Sequence, residues 1–523
     1  MSGLVLNKNL SKTKICFYFS LIISGGFIFR YIFFPFDIPL VLDSLSYFWY
    51  GIDLSVTKSF PITHDLANNL WPTFLSFFFS LTNSENYLDF MFIQRNISIL
   101  FSVMTAIPVY FLAKRFVKKD IALIAPLFFI FEPRVIINSF SGITEPMFIF
   151  FVISTLALFF SNEKKLILFS FVLAGIFCLV RYEGLIMVIS MFIIMFWRFI
   201  REKKGLVYPF GAIGIFLIVI TPMMLIQTDT LGYDGLFSHV GAGANVVIRD
   251  SFFSAGPETV QFFPEIGLPT LLKFLGWILI PSYIIFLPIG IFFFFKNKEN
   301  KKIELIIIGL CAIIPALYAY SRGISDTRYL MVIYPILIIF ALNCIDWLTR
   351  KWPRQYNFKI IIIVFLITTS FIFLSFKDEN EHNREAFEIA EEVTSRTNVI
   401  NHSYHVNTDC LMCGQFEVPE AKYYRSANIT NLQTFPVLRA EMQDRIEFVE
   451  LVEHDSLESY IEFGRKQGLT YLVIDHSDNQ PPFLQDVFIH EEKYPYLLKE
   501  FDSKDFGYQY HVKIFRINYE VLK

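Results

Sequence analysis

Apolar runs of membrane length recur along the chain, separated by short polar joints. A helix needs about 20 apolar residues to cross the hydrocarbon core. Runs of that order lie at 15–34, 87–112, 120–137, 145–161, 165–181, 184–200, 206–226, 269–295, 303–320, 328–346 and 358–376. The pattern predicts a polytopic α-helical membrane protein with about eleven transmembrane helices. Two stretches between runs are long, 35–86 and 227–268. In the first, Ser44–Asp53 and Ala67–Leu81 have the spacing of amphipathic helices lying in the interface, Leu45, Phe48, Trp49 and Ile52 falling on one face. The second contains Gly232, Gly235, Gly241 and Gly243 and reads as flexible, either a mobile cover over a site or an ordinary surface connection.

Beyond 376 the composition turns charged and mixed. Helical spacing at Glu381–Thr394, Leu457–Gln467 and 482–500 alternates with strand patterns at Asn398–Tyr404, Leu469–Asp475 and Tyr508–Asn518. Such alternation predicts a small α/β domain over 377–523, following a membrane domain over 1–376.

Charge orients the spans. Lys8, Lys12 and Lys14, then Lys114, Arg115, Lys118 and Lys119, then Lys164 and Lys165 occupy every second joint. The series continues with Arg198, Arg201, Lys203 and Lys204, with Lys296, Lys298, Lys301 and Lys302, and with Arg350, Lys351, Arg354 and Lys359. The alternate joints and their edges carry far fewer: Lys58, Arg181, Arg249, Arg322 and Arg328. Basic loops stay in the cytoplasm, so the N-terminus is expected inside and, after an odd number of spans, the tail outside the plasma membrane. No small-residue cleavage site follows the first run, which reads as a retained anchor.

Composition agrees with a lipid environment. Charged residues make up 18% of the chain, against about 25% in soluble domains, and the net charge of −3 gives no reason to expect a nucleic-acid partner. Cys16, Cys178, Cys311 and Cys344 fall in apolar runs as small packing residues. Cys410 and Cys413, near His402 and His405, have zinc-like spacing, but on the outer side a disulfide or free thiols are favoured over metal.

Ionisable residues at the ends of spans are costly and therefore candidates for function. Arg30, Asp37, Asp43, Glu132, Arg134, Glu145, Arg181, Glu183, Arg322, Asp326 and Arg328 all fall near outer helix ends in this topology. A lipid-linked sugar phosphate would sit at that depth. Transfer of its sugar needs a base for the acceptor proton, a role that suits Asp43, and cations for the departing phosphate, a role that suits Arg181, Arg322 and Arg328. Tyr47, Glu145, Arg134, His64 and Arg30 complete the candidate substrate pocket. Each has a plainer reading. Asp43 could cap the helix beginning at Ser44, and Arg30, Arg181 and Arg328 could reach lipid headgroups. Glu145 and Arg134 could pair structurally, Arg95 could neutralise a buried carboxylate, and His64 could be a solvated loop residue.

Asp43 with Tyr47, Trp71-Pro72, Pro133, Thr144-Glu145, Arg181-Tyr182-Glu183-Gly184 and Asp326-Thr327-Arg328-Tyr329 stand in an order and topology that resemble the GT-C superfamily of membrane glycosyltransferases, nearest the protein O-mannosyltransferase and Rgt-type branch. The resemblance covers 15–350. It implies a polyprenyl-phosphate sugar as donor, a protein, lipid or glycan hydroxyl as acceptor, and Asp43 as the base. The first-loop Asp-Glu of many members is here Asp43-Ser44, so a second carboxylate would come from Asp53 or Glu145. The Asp-x-Asp of oligosaccharyltransferases is missing and the tail contains no Trp, so oligosaccharide transfer to Asn and the divalent metal that goes with it are not expected, and no other cofactor is assigned. A flippase of lipid-linked saccharides would instead place its charges at mid-bilayer. A polymerase or ligase of surface polysaccharide would need the same outer arginines, and product length separates it from single-sugar transfer.

Overall fold

The computed structural model describes residues 12–40, 43–61, 69–84, 87–202, 205–252, 263–296, 299–351 and 355–376. In the tail it describes 384–385, 388–389, 399–400, 418–419, 423–425, 456–466, 469, 471–475, 482–509 and 511–522. Helices α1 (Lys12–Ile32), α2 (Asp43–Thr57), α3 (Leu70–Phe79), α4 (Tyr87–Met104), α5 (Ala106–Ala113), α6 (Lys119–Ala122), α7 (Ala125–Ile130), α8 (Pro133–Phe140) and α9 (Glu145–Phe159) come first. They are followed by α10 (Lys164–Val180), α11 (Gly184–Phe199), α12 (Val207–Leu231), α13 (Phe237–Phe252), α14 (Pro264–Ile278), α15 (Leu287–Lys296), α16 (Asn300–Ser321), α17 (Tyr334–Lys351) and α18 (Gln355–Phe376). Among the described residues, six stretches are long and apolar enough to cross a membrane: Thr13–Ile32, Leu88–Ala113, Val207–Leu231, Asn300–Ser321, Thr327–Lys351 and Phe358–Phe376. The chain is a multi-pass membrane protein.

Two apolar runs are broken where one span was expected. The run at 120–137 divides into α6, α7 and α8, with Pro126 and Pro133 each in the first turn of its piece, where a missing N–H costs nothing. The run at 269–295 divides into α14 and α15. Hydropathy counts apolar residues and is blind to such breaks.

The chain forms two compact units. The first comprises 1–34, 65–71 and 95–377. Its helices α9, α10 and α11 run up and down with short joints, α10 packs on α12, and α11 on α16. At one end of this bundle the Arg198 guanidinium makes a two-pronged pair with Glu304, its Nε donating over 3.0 Å, and donates to the Phe159 carbonyl over 3.0 Å. Lys301 reaches Asn162 at the same end. Elsewhere α15 lies so close to α17 that a Cβ on Gly290 would collide with the Phe340 carbonyl.

The second unit comprises 35–64, 72–94 and the tail from 378. The interfacial helix expected at Ser44–Asp53 is α2, but it is buried on nearly all sides rather than along one face: Ser44, Leu45 and every residue from Tyr47 to Ser55 are buried. The Phe79 ring packs edge-on to Phe48 and Phe90, and Gln94 donates to the Ser44 carbonyl over 2.9 Å. Asp37 forms a two-pronged pair with Arg384.

In the tail, strands Tyr423–Arg425, Tyr471–Asp475, Val512–Ile517 and Leu497–Asp502 form one sheet in that spatial order, the first pair parallel and the others antiparallel. Leu457–Lys466 and Pro482–Ile489 are helices, and their Leu457, Tyr460, Ile461, Leu484 and Val487 pack with Leu472, Ile474 and Phe515 of the sheet. The helix expected over 482–500 therefore ends at Ile489. The strand Leu497–Asp502 escapes the period-2 pattern because its register shifts between Lys499 and Phe501. His402, His405, Cys410 and Cys413 lie outside the described residues.

Candidate functional site

The end of the bundle opposite Arg198–Glu304 gathers charged residues from four elements. Thr144-Glu145-Pro146 begins α9, the proline tolerated in the first turn. At the end of α10 the backbone becomes extended at Arg181, and the chain re-enters a helix at Gly184 after only two more residues. That tight joint sets Arg181 and Glu183 side by side. Before α17, the Asp326 carboxylate accepts the Arg328 N–H over 2.8 Å and starts the 3-10 turn Thr327–Ile333.

These joints bring one ion network together. Arg181 Nη1 pairs with Glu145 and donates to Thr144 Oγ1 over 3.3 Å, while Nη2 donates to Glu183 over 2.8 Å. Arg328 Nε stands 3.1 Å from Asp326 and 3.8 Å from Glu145. The Tyr329 ring serves both cations, its centroid 5.7 Å from the Arg181 guanidinium and 5.4 Å from that of Arg328. Two guanidinium groups thus meet three carboxylates. Exposure grades across the network: the Glu145 side chain is 4% exposed, Arg181 12%, Arg328 22% and Asp326 44%. An arriving anion would displace Asp326 most cheaply, because that carboxylate returns to water.

The network forms one wall of a pocket that opens to solvent. Glu145, Arg181, Glu183 and Arg328 supply the polar wall, and Phe148, Ile149, Met187, Ala312, Pro315 and Val332 the apolar ones. Among the described residues no three His, Cys, Asp or Glu side chains gather as a metal ion would require.

The other candidates lie elsewhere. Arg322 is exposed at the end of α16, its guanidinium over the Tyr318 ring and donating to its hydroxyl over 3.2 Å. Arg134 stands 3.5 Å from Glu132 and reaches the Ile280 carbonyl, so the pairing of Glu145 with Arg134 is replaced by Glu145 with Arg181. Arg30 is wholly buried: its Nε donates to Ser139 (3.3 Å), Nη1 to the Gly26 and Ile130 carbonyls (3.2 and 3.1 Å) and Nη2 to Ser102 (2.9 Å). Neither headgroup nor pocket is reached by this side chain. Arg95 donates to the Phe140 carbonyl over 3.0 Å. Asp43 is exposed in the first turn of α2, in the second unit, with Tyr47 buried one turn on. Asp53, on the same helix, is fully buried, neither carboxylate oxygen has a partner among the described residues, and burial pushes its carboxyl up to about 6. His64 lies outside the described residues.

Sequence reasoning missed α13. The stretch expected to be flexible contains a helix, Phe237–Phe252, whose start is capped by Asp234 Oδ1 accepting from the N–H groups of Leu236 (2.8 Å) and Phe237 (2.5 Å). Gly232 and Gly235 take left-handed φ values of 81° and 72° in the turn before it. The signal was present as Gly-Tyr-Asp-Gly before an apolar residue, a turn followed by an N-cap. Helix α13 carries His239 to within 5.2 Å of the Tyr182 ring centroid.

Comparison with known proteins agrees with this architecture. Residues 71–226 match the model of the dolichyl-phosphate-mannose-protein mannosyltransferase family. A crystal structure of an oligosaccharyltransferase from Archaeoglobus fulgidus in the apo form superposes with a TM-score of 0.54 at 13% identity, over 89% of this chain and 70% of that one. The chain has the fold of the GT-C membrane glycosyltransferases. The archaeal oligosaccharyltransferase AglB from the same organism, in complex with an inhibitory peptide and a dolichol-phosphate, matches this chain with a TM-score of 0.52 at 13% identity, over 96% of this chain and 74% of that one. ArnT from Cupriavidus metallidurans, bound to undecaprenyl phosphate, gives a TM-score of 0.48 at 10% identity, over 96% and 98%. No protein of curated function matches the chain in sequence.

Proposed function

We propose that this chain transfers a sugar from a polyprenyl-phosphate carrier to an acceptor hydroxyl of a protein, lipid or glycan at the outer face of the plasma membrane. The observation that carries the reading is the pocket between α9, α11 and α16, apolar along most of its wall and closed at one side by Arg181 and Arg328. A prenyl phosphate has the same two-part character, an isoprenoid chain ending in an anion. The match of 71–226 to dolichyl-phosphate-mannose-protein mannosyltransferases, and the binding of dolichol-phosphate by AglB, support the same class of donor.

In this reading Asp43 accepts the proton of the acceptor hydroxyl, whose oxygen forms a bond to the anomeric carbon. The bond from that carbon to the phosphate oxygen breaks on the opposite side, the configuration inverts, and the carrier departs as a phosphate with one more negative charge. Arg328 and Arg181 supply the compensating positive charge, with Asp326 yielding first. The N-terminus is assigned to the cytoplasm and the tail to the outside, on about eleven spans.

The test uses the full chain purified into proteoliposomes with dolichyl-phosphate mannose or glucose and a mixture of extracellular acceptors. Asp43→Asn is expected to lower transfer about 10²–10⁴-fold while leaving donor binding intact. Transfer that survives in Asp43→Asn overturns the assignment of the base. Counterflow of labelled donor without transfer would point to a flippase instead.

A further inference from the structure

The network at Arg181 adjoins a second group of side chains that no step of the proposed reaction uses. Tyr182 follows Arg181 directly, and its ring faces His239 at a centroid distance of 5.2 Å. His239 also meets the Tyr233 ring, at 5.5 Å. Helix α13 is seated on α16 as well, since a Cβ on Gly243 would lie 3.8 Å from the Tyr318 ring. Three buried polar atoms in this neighbourhood find no hydrogen-bond partner among the described residues: Nδ1 of His239, the Tyr233 hydroxyl and Oε2 of Glu183. Glu183 also lines the pocket.

A buried polar atom left without a partner is expensive, and native structures seldom tolerate one without a reason. Here three such atoms belong to residues linked by these ring contacts and by the peptide bond from Tyr182 to Glu183. A bare phosphate would be repelled by Glu183, and an apolar ligand would leave all three atoms unsatisfied. A pyranose suits the group: its hydroxyls both donate and accept, and its C–H face packs on aromatic rings. The place also fits, because a glycosyl phosphate holds its sugar next to the phosphate, as Tyr182 stands next to Arg181.

We infer that Tyr182, Tyr233 and His239, with Glu183, form the subsite for the sugar ring of the donor. The inference rests on the donor class proposed above, and the experiment separates the two. Binding of bare dolichyl phosphate, dolichyl-phosphate mannose and dolichyl-phosphate glucose to the full chain in nanodiscs is measured for the wild type, His239→Ala and Tyr233→Phe. At least one of the two glycosylated lipids should bind the wild type more tightly than the bare lipid. Each substitution should remove about fivefold to tenfold of that preference while leaving the affinity for the bare lipid unchanged, which also shows that the variant is folded. A wild type with no preference, or a preference intact in both variants, overturns the subsite and leaves the donor class standing. If none of the three lipids binds, the donor class itself falls.

Discussion

Two buried ion pairs at opposite ends of the same bundle should respond very differently to the loss of one partner. Arg198 and Glu304 form a closed pair: the Glu304 side chain is 4% exposed and its two oxygens receive Nε and Nη2 of the one guanidinium. Replacing Arg198 with Met removes the guanidinium that lies over the Phe159 ring and strands a buried carboxylate. Removing one partner of a buried pair costs about 3–5 kcal/mol, and that range is the expectation for Arg198→Met. Glu145 is equally buried but belongs to a shared network. In Glu145→Gln the amide still accepts from Arg181, which keeps Glu183 at 2.8 Å, and Arg328 keeps Asp326 at 3.1 Å. No charge is stranded, so the loss is that of weakened hydrogen bonds, about 1–2 kcal/mol. Unfolding by SDS titration of the purified chain, with the double variant to check additivity, measures both. Equal destabilisation by the two substitutions, or a larger effect from Glu145→Gln, would refute the claim that the site network is redundant while the opposite end is not.

Asp53 predicts a pH dependence. Its folded value of about 6 lies above the value of about 3.9 for an unfolded Asp, so the native state holds the proton more tightly and stability falls as pH rises from about 4 through 6. Unfolding midpoints across that range should drop for the wild type and stay flatter for Asp53→Asn; parallel curves would exclude Asp53 as the cause. Asp234→Ala removes the cap of α13 at a cost of about 1–2 kcal/mol, which should appear as faster amide exchange in 236–247 while exchange in α10 and α11 is unchanged.

The ends of the bundle were legible because charge at a helix end in lipid is costly and therefore visible in composition. Glu145, Arg181, Glu183, Asp326 and Arg328 all stood out on that ground, and the structure brings them into one network. Which of them pair was not legible. Arg134 and Arg181 are both candidates for Glu145 by depth alone, and the choice depends on lateral helix packing, which hydropathy does not encode. Arg30 shows the same limit from the other direction: its position at the end of α1 matched a ligand-binding cation, yet Ser102, Ser139 and two carbonyls satisfy it inside the protein. A serine in an apolar run leaves no mark in a hydrophobicity profile. Helix α13 was hidden for a third reason, since its glycines argue for flexibility one by one while Asp234 fixes the start of a helix that then packs on Tyr182 and Tyr318. Sequence therefore locates the depth at which chemistry can occur, and packing decides which charges remain available for it. By that criterion Asp326 and Arg328, at the exposed edge of the network, are better placed to exchange partners with a ligand than Glu145 and Arg181, which hold that edge in place.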